Sequence, residues 1–208
     1  MRLGPDFDVN VAQALSPLGS THTFTRPSMS GGWTFPWGRE GFVRPSAGFS
    51  LRIQPMDGHE TIDNTAQLSV RASTPVLGWF RVLTQASFET RWHDTQNAYY
   101  TIGSDSGLRG YPINAFYGQR RLSTIIEARS LPVPLWVLRV GGVAFYENGT
   151  AGNSLDELRL YHDVGLGVRM LIPQTSRELF RLDVALPLVA SPGNPISPHI
   201  LAGFSSYF

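Results

Sequence analysis

Cysteine is absent from the 208 residues, so the chain has no disulfide framework and no thiolate metal site. Lysine is absent too, and all 17 basic residues are arginine. Charge is sparse, at 16% of residues against roughly 25% in soluble domains. The net charge of +1 gives no general attraction to nucleic acid, and no nucleic-acid partner is expected. No apolar run approaches the ~20 residues that a helix needs to cross a bilayer. The first residues, Met1-Arg-Leu-Gly-Pro-Asp-Phe-Asp8, lack the apolar core of a secretory signal. The histidines (His22, His59, His93, His162, His199) are scattered, with no pair at metal-ligand spacing. Gly103-Ser-Asp-Ser-Gly107 is not a nucleophile elbow, because Asp105 stands where the serine would have to be. His162-Asp163 reads as strand surface rather than a catalytic dyad. The expectation is a non-enzyme with no catalytic residue, no metal and no cofactor.

What the chain does have is turn formers and aromatics, with 21 Gly, 15 Pro and 12% aromatic residues. That mix suits strands joined by turns. Alternation of period two runs along the chain. In 79–92, Phe80, Val82, Thr84, Ala86, Phe88, Thr90 and Trp92 share one face, against Arg81, Leu83, Gln85, Ser87, Glu89 and Arg91. In 121–129, Leu122, Thr124, Ile126 and Ala128 oppose Arg121, Ser123, Ile125, Glu127 and Arg129. In 178–188, Phe180, Leu182, Val184, Leu186 and Leu188 oppose Arg181, Asp183 and Ala185. Further strands are expected near 7–15, 46–54, 65–74, 135–147, 160–172 and 198–208, with another if 19–35 conceals one.

Ten residues tilted by ~40° cover an apolar band of ~25 Å, the height of a membrane-spanning barrel wall. Trp79, Trp92, Trp136, Tyr146, Tyr161 and Tyr207 fall near strand ends, where an interfacial girdle would lie. Turns are expected at 130–134, 173–176 and 191–195, and long loops at 16–40, 93–119 and 148–159. The pattern predicts an all-β chain: an antiparallel transmembrane β-barrel occupying 1–208, with about nine or ten strands present. A soluble β-sandwich or lipocalin-like barrel accounts poorly for mixed Arg and carboxylates opposite the apolar faces. The last strand ends in Phe208, which resembles the sorting signal of bacterial outer-membrane proteins.

At 102–111 the sequence reads Ile-Gly-Ser-Asp-Ser-Gly-Leu-Arg-Gly-Tyr. Glu127-Ala-Arg129, Phe145-Tyr-Glu-Asn-Gly149, Gly165-Leu-Gly-Val-Arg169 and Arg181-Leu-Asp-Val-Ala-Leu-Pro187 follow in order. This series resembles the BamA-type outer-membrane assembly and secretion superfamily (the bacterial surface antigen family) over about residues 78–208. The chain departs from that pattern at Gly103-Ser104, where the family has a glycine pair, and at Glu147, where it usually has Asp.

The resemblance implies that the loop carrying Leu108, Arg109, Gly110 and Tyr111 folds back into the barrel lumen. Independently of family, Arg109 is a planar fork of donors on a loop long enough to enter a lumen, and Glu127, Glu147, Asp163 and Asp183 fall on inward faces. Arg109 is therefore expected to pin the loop by pairing with these carboxylates, chiefly Glu147, and the resemblance implies Phe145, Gly149 and Arg129 as further lumen partners.

The family barrel is sixteen-stranded, so the chain is expected to be the C-terminal portion of a larger barrel, or else a small complete variant. Implied partners are outer-membrane lipid, unfolded or nascent β-barrel clients or a secreted polypeptide, and accessory assembly proteins, in the bacterial outer membrane. The alternatives are a passive porin-like or adhesin barrel, and the barrel of a fused patatin-like enzyme.

Overall fold

The computed structural model describes residues 3–54, 61–171, 178–191, 193 and 195–206. Its strands, in chain order, are β1 (Gly4–Ala14), β2 (Phe24–Trp37), β3 (Gly41–Ile53), β4 (Thr61–Ser73), β5 (Phe80–Trp92), β6 (Tyr100–Ile102), β7 (Phe116–Gly118), β8 (Arg120–Ser130), β9 (Val133–Leu135), β10 (Leu138–Gly152), β11 (Tyr161–Leu171), β12 (Glu178–Pro187) and β13 (His199–Ser206). Among the described residues a 3-10 turn at Ser16–Leu18 is the one helical element. The strands form an antiparallel 11-stranded sheet in the order β1-β2-β3-β4-β5-β8-β10-β11-β12-β13, with β9 pairing β10. β6 and β7 make a separate hairpin within the connection from β5 to β8. Among the described residues no pairing joins β1 to β13, so the sheet is open and both strands are edges.

The register carries the alternation from strand to strand. Ala144 pairs with Leu166, Leu166 with Val184, and Val184 with Ile200. Leu68 pairs with Phe88, and Phe88 with Leu122. One face of the sheet is thus apolar and open: Leu166 is 68% exposed and Ile200 74%. The opposite face holds the charged and small residues, and there Glu147, Asp163 and Asp183 are fully buried. A sheet with water on both sides would place its charges outward and its leucines inward. This sheet does the reverse.

Four expectations are corrected. Residues 16–40 are not one long loop, because 24–37 form β2. Its exposed residues Met29, Trp33, Phe35 and Trp37, with the half-buried Gly31 in the same row, alternate with Ser28, Ser30, Gly32 and Thr34, and Pro27, Pro36 and the paired glycines break the usual strand composition. The loop placed at 148–159 begins later, since β10 runs to Gly152 through continued pairing with β8. Trp136 lies in the turn between β9 and β10 with φ 55°, so it does not define a strand face. Tyr161 turns to the polar face, where its ring stacks on Phe116 with centroids 4.0 Å apart. Tyr207, Phe208 and the turn at 173–176 lie outside the described residues.

Glycine matters most at 165. Gly165 pairs directly with Phe145, whose ring covers it, and a Cβ at 165 would lie 2.2 Å from Phe145 Cζ and 2.4 Å from the Val184 carbonyl. The bulky ring and the missing side chain fill one cross-strand position. Gly165→Val is expected to destabilise the sheet by about 1–3 kcal/mol through overpacking, whereas Gly142→Ala, on the open face, changes stability by less than ~0.5 kcal/mol. Urea unfolding of the two variants beside the parent chain measures both.

Candidate functional site: a loop latched onto the polar face

The connection from β5 to β8 leaves the sheet edge-on and folds back over it. Its base is held by Asp63, which adopts a left-handed φ of 50° in β4. The Asp63 carboxylate accepts hydrogen bonds from Thr95 N (2.8 Å), Thr95 Oγ1 (2.9 Å), Gln96 Nε2 (3.2 Å) and Arg52 Nη1 (2.9 Å). The Asp63 N–H donates to the His93 carbonyl at 2.9 Å. Asp and Asn tolerate this backbone region better than other side chains do, because their short polar groups bond locally.

Beyond the base, Gly103 starts a tight turn. The Ser106 and Leu108 N–H groups both donate to its carbonyl at 3.0 Å. Gly107 has φ +116°, a conformation that an L side chain rarely adopts. Ile102, Leu108 and Tyr111 then form a fully buried cluster packed on Ala115, Phe116, Ala151 and Tyr161. Gly149 makes room for it: a Cβ there would lie 2.5 Å from Ile102 Cδ1. The Tyr111 hydroxyl donates to the carbonyls of Val189 (2.8 Å) and His162 (3.1 Å). Burial raises its pKa above the ordinary tyrosine value.

Arg109 is the tip of the loop. Its backbone N–H donates to Glu147 Oε2 at 2.7 Å, and its Nε lies 3.1 Å from Glu147 Oε1. Nη1 donates to Asp183 Oδ2 at 3.3 Å, and Nη2 donates to Glu127 Oε1. The Phe145 ring lies 4.1 Å from the guanidinium carbon, a cation–π contact on the face that the carboxylates leave free. Burial by itself would lower the Arg109 pKa, but the charges of Glu147, Glu127 and Asp183 outweigh it and hold the guanidinium above its usual value.

Gly110 follows with its N–H donating to Asp163 Oδ2 at 2.9 Å. A Cβ on Gly110 would come within 2.7 Å of Asp163 Cβ and 2.9 Å of the Pro187 nitrogen, so only glycine approaches the strands this closely. Arg129 pairs with Glu127 at 2.6 Å, and Arg169 pairs with Asp183.

These contacts also fix the shape of the polar face. Glu127 on β8 and Asp183 on β12 are three strand spacings apart, ~14 Å on a flat sheet. One guanidinium meets both, so the sheet curls around Arg109 and this face is concave.

The structure brings together every residue expected at the loop motif: Leu108, Arg109, Gly110, Tyr111, Glu127, Arg129, Phe145, Glu147, Gly149, Asp163 and Asp183. Of the expected inward carboxylates, Glu147, Glu127 and Asp183 share the guanidinium, and Asp163 instead takes the Gly110 N–H. Sequence reading missed the base anchor at Asp63; its one signal is the Asp63-Asn64 pair inside a strand. His162 and Asp163 face opposite sides of β11: the His162 ring lies on the apolar side, with Nδ1 2.7 Å from the Tyr146 hydroxyl. Among the described residues no three acidic or histidine side chains are arranged to hold a metal. The chain matches no family model and no curated protein.

Removing one partner of a buried ion pair typically costs about 3–5 kcal/mol. Arg109→Ala is expected to lose stability in that range and to open residues 103–115 to protease. The charge-swapped pair Arg109→Glu/Glu147→Arg recovers less than about half of the loss, because Glu127 and Asp183 then face a carboxylate. Limited proteolysis with urea unfolding reads both. The base behaves separately: Asp63→Ala speeds cleavage near Thr95 while the tip contacts of Arg109 keep 103–115 protected.

Proposed function

We propose that this chain forms part of the wall of an outer-membrane β-barrel that assembles membrane proteins or exports polypeptides, as the BamA-type superfamily does. The single observation that carries the proposal is the latched loop: Leu108-Arg-Gly-Tyr111 is docked on a concave polar face by carboxylates from β8, β10, β11 and β12. Those are the strands on which the family-like motifs fall in order.

The opposite face supports the membrane part of the proposal. From Phe180 to Leu188 the apolar row, exposed from Leu182 on, covers ~26 Å along β12 and the residue after it, or ~20 Å along the membrane normal at ~40° tilt, near the ~25 Å band of barrel walls. Hydrocarbon cannot satisfy unpaired N–H and C=O groups, so further strands close the wall at the edges β1 and β13. In this reading β13 is the working edge. It is short, and Ala202 and Gly203 give it little packing, which suits a strand that exchanges its partner for an incoming one.

Two measurements test this. Leu166→Arg, at the middle of the apolar face, is expected to cost about 2–4 kcal/mol in urea-titrated folding into lipid vesicles. Unchanged folding would overturn the membrane reading. A photocrosslinker at Leu201 is then expected to capture an unfolded β-barrel client during its insertion. Ion conductance with no client crosslink would point to a passive pore instead.

A further inference from the structure

Glu147 and Asp163 face each other directly in the β10–β11 register, and both side chains are fully buried. Directly opposed residues of antiparallel strands have Cβ atoms about 4.5–5.5 Å apart, which sets the two carboxyl groups side by side. Each keeps one oxygen that accepts no hydrogen bond: Glu147 Oε1 and Asp163 Oδ1. Arg109 Nε sits 3.1 Å from Glu147 Oε1, but off the line of a hydrogen bond.

The groups around this pair come from every element packed on it. The loop contributes Arg109, the Gly110 N–H and Tyr111. Glu127 and Arg129 come from β8, Arg169 from β11 and Asp183 from β12. Three guanidinium groups therefore serve four carboxylates, and among the described residues Arg181, the next arginine on this face of β12, makes no ion pair with any of them. Two buried carboxylates in contact do not both stay ionised when one positive charge too few surrounds them.

We propose that Glu147 and Asp163 hold a single proton between them, carried on Asp163. Glu147 is the charged member, since it takes both the Arg109 N–H and the ion-pair contact. The hydrogen bond that Asp163 Oδ2 accepts comes from an uncharged donor, the Gly110 N–H. A hydroxyl at Asp163 Oδ1 donates to the Glu147 carboxylate. One O–H then gives both orphaned oxygens a role, and three positive charges balance three negative ones. The latch is a proton-binding site as well as an ion-pair cluster. This inference deepens the latch geometry and does not depend on the assembly role, so a failed client crosslink leaves it standing.

The test is infrared spectroscopy of the full chain folded in detergent micelles in neutral deuterated buffer. A protonated carboxyl gives a carbonyl band well separated from ionised carboxylates. The band is expected in the unaltered chain, shifted by carbon-13 aspartate labelling, unmoved by carbon-13 glutamate labelling, and absent in Asp163→Asn. No band, a band that moves with the glutamate label, or a band that survives Asp163→Asn overturns the assignment. The labelling arm uses the unaltered sequence and so stands whether or not the variant folds.

Protease protection of 103–115 provides a second readout. Asp163→Asn replaces the O–H by an N–H donor and is expected to stay within about twofold of the parent, while Glu147→Gln, which removes the charge facing Arg109, cleaves at least roughly tenfold faster. A change of roughly tenfold or more in either direction for Asp163→Asn contradicts the shared proton.

Discussion

The burial of one guanidinium sets the arrangement of the whole polar face. Arg109 carries its charge into a place without bulk water, and that is tolerable only where several carboxylates converge. Glu127, Glu147 and Asp183 come from strands too far apart on a flat sheet to share one cation. The ion cluster and the curl of the sheet therefore require each other. Small residues on the concave side follow from the same constraint. Gly149, Gly165 and Gly167 leave the volume into which Ile102, Phe145 and the Asp183 carboxylate fit.

The two faces differ sharply in polarity. Charges collected on the concave side are paired, whereas the convex side exposes leucine, valine, isoleucine and phenylalanine in rows that cross several strands. Exposed apolar residues scattered singly need no explanation, but continuous rows do. Under the proposed membrane placement, hydrocarbon would remove the cost of that surface, and it would also require partners for the free edges of β1 and β13.

The strands whose two faces differ most in polarity were legible in the sequence. β5, β8 and β12 alternate large apolar with charged residues, and period two stands out at once. β2 was nearly invisible, because its inward positions are Ser28, Ser30 and Gly32 and its outward row is interrupted by Gly31. Small residues erase the contrast on which periodicity rests, although the backbone pairs with β1 from Phe24 to Thr34. The tip of the latch was legible mainly through the motif resemblance at Leu108-Arg-Gly-Tyr111, since an arginine on a long loop is by itself more often solvated. The inward carboxylates were legible from alternation, but that Glu127, Glu147 and Asp183 all reach one guanidinium was not, since the curl of the sheet is a tertiary property. The Asp63 anchor depends on one residue in a left-handed conformation, and local composition carries almost no trace of that.

A loop of this length is not held by its tip alone. Ordering each residue costs about 1–2 kcal/mol of backbone entropy, so residues 103–115 together far exceed what a buried ion pair contributes. The balance comes from burial of Ile102, Leu108 and Tyr111, from the β6–β7 hairpin, and from the bonds at Asp63 that fix where the loop leaves the sheet. These contributions differ in kind. Apolar burial and the hairpin stabilise a compact loop wherever it sits, whereas the Arg109 cluster stabilises it only on this face. The ion cluster thus supplies placement more than stability, and a loop that had to be released and returned to the same spot would be built with this division.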